Sequence, residues 1–412
     1  RPSSRSLPPG ALLLNAVTPF ELAVTRLFSS MDPHSHSPYA LELALCANIL
    51  AQSAPGDGTP ERFEALSLFV SEIPADGLHW AGSQLLHACM ARLPLLVRRL
   101  VLAAGCKYVK ARSGQRYMLG TLQVEVDRGQ PLAIPIPRLP VEYGAVEISY
   151  AAEHAGGDGM RRDWLSAVAR AARPLFVPSP NGDTVHPRAD ATSAREIAQF
   201  RVVGAAIAAA LMHAEVLPLP LSTPCLAATL GYPELPSQLR WYDKELYQGH
   251  LRWIHDCTNE EWEAAELDLY FVDDSDGTEL SPGGASRAVT APLRHEYATF
   301  FALHRMFGRV RRQMRAIARG FAIFAQQSAA WLRQVVQPHE LDALGRLVAG
   351  EPSTVDELIR SARLIVYTRE SVQLQWLQRW LSGGSGAERL EWLLHFVTGC
   401  SRLPVGGYGA MA

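Results

Sequence analysis

The chain has 412 residues, 48% of them hydrophobic and 19% charged, which is enough for two or three globular domains with separate cores. A formal net charge of −2 gives no indication of a nucleic-acid partner or a membrane surface, and no apolar run reaches the roughly 20 residues that a membrane span needs. None of the six cysteines forms a CxxC pair, so we expect no structural zinc, no disulfide framework and a reducing compartment.

Residues 1–138 are predicted to form a mostly helical extension that ends in a proline-rich connector. Apolar residues recur at helical spacing over residues 41–50 and 82–104. Residues 116–126 alternate and include β-branched side chains, which predicts a strand. Four prolines then fall within ten residues, a spacing that excludes a helix interior: Pro131, Pro135, Pro137 and Pro140.

The region that follows mixes short strands with helices. Residues 146–150 are predicted to be a strand, and the Gly156-Gly157-Asp158-Gly159 stretch lacks a Walker lysine and the GxGxxG spacing, so it predicts a turn and not a phosphate loop. Helices are predicted at residues 162–172, 194–214 and 246–255. A strand is predicted at residues 267–272, with Leu269 and Phe271 on one face.

The longest predicted helix covers residues 295–324. Its apolar residues share one face. Five arginines surround that face: Arg305, Arg309, Arg312, Arg315 and Arg319. A basic helix is compatible with nucleic-acid binding, but the net charge favours a solvated face paired with nearby acids. Further helices are predicted at residues 354–361, 371–380 and 388–395.

Several separated motifs occur in an order that resembles the HECT-type ubiquitin ligases. They are Phe200-Arg201-Val202-Val203-Gly204, Glu245-Leu246-Tyr247, Leu251-Arg252-Trp253-Ile254, Glu266-Leu267-Asp268-Leu269-Tyr270-Phe271, Glu279-Leu280-Ser281-Pro282-Gly283-Gly284, Gly320-Phe321 and Phe396-Val397-Thr398-Gly399-Cys400-Ser401-Arg402-Leu403-Pro404-Val405-Gly406-Gly407-Tyr408. Within the last of these motifs, the Leu403-Pro404-Val405-Gly406-Gly407 portion is especially similar to the branch of the family linked to ubiquitin-fusion degradation. Among the stretches that depart from the family pattern, residues 205–210 are unusually rich in alanine, and residues 257–265 lengthen the loop before the 267–272 strand.

The resemblance implies an α+β, mainly helical fold: a bilobal HECT domain preceded by the helical extension. The implied amino-terminal lobe is 139–350, with a conjugating-enzyme-binding subdomain at about 246–330, a hinge at 351–353 and a truncated carboxy-terminal lobe at 354–412. The catalytic cysteine of the family follows the last motif, so the resemblance places it beyond Ala412. The chain itself is therefore expected to be inactive, and Cys400 is expected to be structural.

The resemblance also implies which residues act. Leu246, Trp253, Leu269 and Tyr297 match the apolar groove that docks a ubiquitin-conjugating enzyme. The alternative for this region is that Trp253 and Ile254 merely fill the core. The hinge between the lobes matches four residues, although an ordinary turn would have the same composition: Gly350, Glu351, Pro352 and Ser353.

The function that the resemblance implies is ubiquitin transfer. A HECT ligase accepts ubiquitin from the conjugating enzyme as a cysteine thioester and passes it to a substrate lysine. We expect this in the cytoplasm and/or the nucleus, without a cofactor or a metal. The alternative is a non-catalytic, degenerate HECT domain that binds proteins. A weaker third possibility, a helical scaffold with chance motif matches, predicts no β-structure at residues 266–272 and no hinge.

Overall fold

The computed structural model describes residues 121–134, 145–151, 157–322, 336–362, 364–368 and 370–404, with residues 95, 108–110, 116–118, 153, 407 and 408. The helices predicted at residues 41–50 and 82–104 lie outside the described residues, except for residue 95. No described helix is long and apolar enough to cross a membrane.

Short strand pairs open the described chain. β1 (Tyr108–Lys110) pairs antiparallel with β2 (Arg116–Met118), and β3 (Thr121–Val126) pairs parallel with β4 (Ala145–Tyr150). Alternate residues of β3 and β4 point into the core, as expected for strands with one buried face. The single strand predicted at residues 116–126 is therefore wrong in extent, because its two halves pair with different partners.

A buried ion pair joins the β3–β4 sheet to the helices that pack against it. α1 (Asp158–Ala172) begins directly after Gly157, where the sequence predicted only a turn. Its Arg161 contacts the Glu215 carboxylate through Nε at 2.8 Å and Nη2 at 2.9 Å, and Nη1 donates to the Val146 carbonyl at 3.2 Å. The two charges are satisfied by each other and by the backbone, so their burial is tolerated.

The longest buried helix forms the centre of the main core. The hairpin of β5 (Phe176–Pro178) and β6 (Val185–Pro187) precedes α2 (Ala194–Met212), which starts with a capping box between Ser193 and Glu196. All residues from Val202 to Met212 are buried. The alanine-rich stretch at 205–210 therefore fits a helix that is surrounded by other elements and has room only for small side chains.

Two glycines bring α2 against a later helix, residues 311–322. A Cβ on Gly204 would lie 2.0 Å from the Ile317 carbonyl oxygen, and a Cβ on Gly320 would lie 1.9 Å from the Arg201 carbonyl oxygen. The backbones approach too closely for any side chain at either position. This contact accounts for the glycines of two motifs that are far apart in the sequence.

Short elements build the region that contains the predicted groove. They are α3 (Thr223–Leu230), α4 (Leu239–Tyr242), α5 (Lys244–Leu246), a π-turn (Tyr247–Leu251), α6 (Arg252–Asp256), α7 (Asn259–Ala264), the hairpin of β7 (Val272–Asp273) and β8 (Thr278–Glu279), α8 (Arg294–Leu303), a second π-turn (His304–Gly308) and α9 (residues 311–322). The strand predicted at residues 267–272 is largely wrong, because the ladder starts only at Val272 and Tyr270 makes an isolated bridge to Ala288.

The helix predicted at residues 295–324 is interrupted by the second π-turn. Met306 and Phe307, adjacent in sequence, are both fully buried. A regular helix turns by 100° per residue and presents a narrower face to the core, so the wider turn accommodates both side chains.

The last helices surround a second, smaller core. α10 (Leu341–Ala349) belongs to the main cluster, whereas α11 (Val355–Ser361), α12 (Val372–Leu381) and α13 (Gly386–Thr398) pack around Leu381, Leu390, Leu394 and Leu403. The mainly helical α+β fold is thus confirmed. The domain boundaries at 138, 350 and 353 stay a prediction.

Candidate functional site

Trp253 is the most prominent exposed aromatic side chain of the predicted groove. Trp253 lies on α6, which continues α5 and the first π-turn. Asp243 caps the start of α5, because its carboxylate accepts a hydrogen bond from the Leu246 amide at 2.9 Å. Trp253 is 40% exposed, and its ring stacks on Trp262 with centroids 5.7 Å apart. Trp262 is itself buried. An exposed indole is therefore held in a fixed orientation by a core residue.

The neighbouring helical positions divide between core and surface. Ile254 is fully buried, as the core-filling alternative required, but Trp253 is not. Leu246 and Leu269 are half-buried and pack against the main core. The Leu269 carbonyl accepts a hydrogen bond from the Val289 amide at 2.8 Å, which fixes this segment beside the following loop.

Tyr297 is buried, and its predicted role in docking stays a prediction. Its side chain is 2% exposed, contacts Phe271 edge-on at 5.8 Å and stacks on Phe301 at 5.7 Å. Burial raises the pKa of its hydroxyl to about 12. Tyr297 and Phe301 are four residues apart on α8, so they share the face that this helix turns to the core.

Sequence reasoning missed two exposed apolar residues next to Leu269. Leu267 and Tyr270 are each 41% exposed. For Tyr270 the available signal was the ELDLYF motif itself, because a strand with Leu269 and Phe271 on the inner face turns the residue between them to the surface. The same alternation places Leu267 on the inner face, so its exposure had no signal in the sequence.

A charge network links the β7–β8 hairpin to the second π-turn. Ligand atoms of Asp273, Asp276 and His304 lie within 4.8 Å of one another, a spacing that could hold a metal ion. However, Arg305 Nη1 lies 3.7 Å from Asp273 Oδ2, and Arg309 Nε lies 3.8 Å from Asp276 Oδ2. Each carboxylate thus already has a cation beside it, so the cluster is a protein charge network. Two of the five arginines of the predicted basic helix are paired with acids in this way.

Gly350 ends α10 in a conformation that requires glycine. Its φ is 69° and its ψ is 173°, and a Cβ there would lie 2.5 Å from the Leu403 carbonyl oxygen and 2.7 Å from Val216 Cγ1. The next residue, Glu351, exchanges two backbone hydrogen bonds with Leu403, of 2.8 and 2.9 Å. The predicted hinge is therefore attached to the last motif of the chain, and we call this pair of hydrogen bonds the hinge bridge.

The rest of the predicted hinge is nearer the surface. Glu351 and Pro352 are exposed, and Ser353 is half-buried. The Ser353 and Tyr408 hydroxyls are 2.7 Å apart and hydrogen-bonded. A capping box between Thr354 and Glu357 then starts α11. The four residues thus form a short connection that is held at both ends.

Three contacts hold α13 and its following turn against α1. Ser166 Oγ donates to the Gly399 carbonyl at 2.8 Å, and His395 Nε2 lies 3.5 Å from Asp163 Oδ1. Arg173 and Glu391 approach to 4.0 Å at the edge. A cleft of about 640 Å³ remains between the two helices, with Trp392 and Phe396 among its lining residues.

None of the described cysteines has the surroundings of a nucleophile. Cys225, Cys257 and Cys400 are all buried. Burial raises the pKa of Cys225 to about 12 and also raises the pKa of Cys400. Since the thiolate is the reactive form, a raised pKa makes the thiols of Cys225 and Cys400 poor acceptors near neutral pH.

Comparison with known proteins agrees with the motifs. The HECT-domain (ubiquitin-transferase) family model matches residues 164–412. The E3 ubiquitin-protein ligases HACE1 of Bos taurus and of Homo sapiens are each 27% identical over 276 residues, which is 64% of this chain and 29% of theirs. The TOM1-like E3 ubiquitin-protein ligase of Neurospora crassa is 25% identical over 278 residues, 65% of this chain and 7% of its own. The chain therefore spans less than a third of the length of these relatives.

Proposed function

Because the chain belongs to the HECT-domain (ubiquitin-transferase) family, we propose that it is the conjugating-enzyme-docking part of a HECT-type ubiquitin ligase. The whole protein would accept ubiquitin as a cysteine thioester and transfer it to a substrate lysine, in the cytoplasm and/or the nucleus. The family homology supports ubiquitin ligase function in general.

Trp253 is the observation that carries the proposal. Exposed aromatic side chains that are held rigidly by the core lose little conformational entropy on binding, and they are enriched among the residues that dominate binding energy at interfaces. Trp253 meets this description because Trp262 stacks beneath it. Leu246 and Leu269 extend the apolar surface, whereas Tyr297 supports it from the core.

The buried cysteines and the hinge fit the same proposal. Cys225, Cys257 and Cys400 have no nucleophilic surroundings, so we assign the thioester to a different cysteine of the whole protein. Transfer between two carriers requires that one lobe move relative to the other. We place that motion at Gly350, Glu351, Pro352 and Ser353, where the main core ends and the smaller core has not yet begun.

The test is binding of a purified, ubiquitin-charged conjugating enzyme to Trp253→Ala. Truncating an aromatic anchor costs about 2 kcal/mol or more, so we expect about thirtyfold weaker binding. The matched control is Trp376→Ala on α12, a tryptophan that is 59% exposed and lies in the smaller core's helices. Circular dichroism confirms that both variants are folded.

Equal affinity of the parent chain and a folded Trp253→Ala variant would remove the docking surface from this region. Equal loss in both variants would instead indicate non-specific adhesion through exposed indoles. If docking is retained but the whole protein forms no ubiquitin thioester, the alternative of a degenerate, non-catalytic binding domain is favoured.

A further inference from the structure

A run of carboxylates follows Trp253 along the chain. Residues 256–268 contain six acidic residues and no lysine or arginine, and all six side chains are exposed: Asp256, Glu260, Glu261, Glu263, Glu266 and Asp268. We call these six residues the acidic surface. Three of the six, Glu260, Glu261 and Glu263, lie in residues 257–265, the stretch that is longer here than in the family pattern.

Local contacts fix the acidic surface beside Trp253. A capping box starts α7, because the Thr258 amide donates to Glu261 Oε2 at 2.8 Å and Thr258 Oγ1 accepts from the Glu261 amide at 3.2 Å. Trp262 then anchors α7 in the core and stacks on Trp253. Arg294 Nη1 donates to Asn259 Oδ1 at 2.7 Å, which ties the start of α7 to α8.

Most of these carboxylates have no cation of their own. Asp256 lies 3.4 Å from Arg252. Within the part of the chain that the structure describes, no ion pair involves the other five acids. Exposed like charges at this density repel one another and produce a negative potential over the surface next to Trp253.

We propose that the acidic surface selects conjugating enzymes whose contacting face is rich in lysine and arginine. This inference rests on the proposed docking at Trp253. Charges at the rim of an interface steer encounter and suppress partners of the wrong sign, while a central apolar residue supplies most of the affinity. The arrangement fits this division of roles, with Trp253 as the apolar centre and α7 as the charged rim.

The chemistry favours a basic protein surface over a bound cation. The carboxylates belong to exposed residues of α7 and its flanks, and Leu267 and Tyr270 expose apolar area in the same segment. A metal ion would need several oxygens converging on one point. A folded partner with basic side chains around an apolar contact complements both features.

The experiment compares Glu260→Gln/Glu263→Gln with a control of the same charge change. Glu261 is left in place because it caps α7. The control is Asp356→Asn/Glu370→Gln, two exposed acids in the region of α11 and the loop that follows it. Association and dissociation rates are measured with two purified conjugating enzymes, one with a basic contacting face and one with its lysines and arginines there changed to glutamine.

At about 0.1 M salt we expect the Glu260→Gln/Glu263→Gln variant to bind the basic enzyme about three- to tenfold more slowly, with little change in dissociation rate. The difference should fall below about twofold at about 1 M salt, where charges are screened beyond about 3 Å. The control variant should match the parent chain, and the neutralised enzyme should not distinguish the variants.

Equal association rates for the two double variants would overturn the inference of charge selection. If Trp253→Ala still weakens binding in that case, the proposed docking at Trp253 stands and only the selection by charge fails. If neither Trp253→Ala nor Glu260→Gln/Glu263→Gln changes binding of the basic enzyme, both the docking proposal and the charge-selection inference are overturned. Equally strong, salt-dependent binding of a polylysine peptide that competes with the enzyme would also count against selection, because the surface would then be a general cation binder.

Discussion

Replacing Gly350 by alanine tests whether the hinge bridge holds the last motif in place. Non-glycine residues in this region of φ and ψ cost about 1–3 kcal/mol. The new Cβ would also lie 2.5 Å from the Leu403 carbonyl oxygen, which accepts a hydrogen bond from the Glu351 amide. Relief of the clash would open the hinge bridge, whose two hydrogen bonds contribute about 0.5–1.5 kcal/mol each.

We therefore expect the Gly350→Ala substitution to destabilise this connection by about 2–4 kcal/mol. This is less than the sum of the backbone strain and the two hydrogen bonds, because opening the hinge bridge releases part of the strain. Amide hydrogen exchange at Glu351 and Leu403 reports it directly, and their protection should fall by about 30- to 700-fold. Urea unfolding of the main core should change less, since that core ends before Gly350.

The matched control is Gly384→Ala, between α12 and α13, where a Cβ would meet no atom within 4 Å. Its effect should stay within about 0.5 kcal/mol. Protection of the Glu351 and Leu403 amides that is unchanged in a folded Gly350→Ala chain would refute the reasoning, because it would mean that the strained glycine can be replaced without opening the hinge bridge.

Two further predictions concern the main core. Gly204→Ala should destabilise the chain by about 1–3 kcal/mol or more in urea unfolding, because its Cβ would lie 2.0 Å from the Ile317 carbonyl oxygen, whereas Gly249→Ala has open space and should be nearly neutral. Burial lowers the pKa of His186 to about 4 from its usual 6.5, so stability is present above pH 6.5 and is lost as the pH falls towards 4. Between pH 7 and pH 5 the free energy of unfolding should fall by about 2 kcal/mol because of His186. If a His186→Gln chain loses just as much stability over this pH range, the loss does not come from His186.

The helices were largely predictable because their signals are local. α2 has a capping box at its start and a continuous apolar run, and α13 ends at Gly399 with a left-handed conformation. These features occur within a few residues of the element that they define. For the helices predicted at residues 162–172, 194–214, 354–361, 371–380 and 388–395, the observed ends therefore differ from the predicted ones by only a few residues.

The failures concern properties that depend on distant residues. α8 carries apolar side chains at Tyr297, Phe300 and Phe301, and their different burial depends on contacts with distant residues such as Phe271. The hinge bridge pairs Glu351 with Leu403 across 52 positions, and no local pattern indicates that partner. The motifs showed which glycines matter, but only the packing showed that Gly204 and Gly320 lie in the same helix contact.

The contacts across α1 set how often the last helices can leave it. The hinge bridge joins Glu351 to Leu403, which both follow Gly350 in the chain, so a rotation at Gly350 can carry the bridge along unbroken. The Ser166–Gly399 hydrogen bond instead joins α1 to the last helices, and their separation must break it. At about 1 kcal/mol this bond makes the separated arrangement about fivefold less populated, and a partner that binds only that arrangement would lose about fivefold in apparent affinity to it.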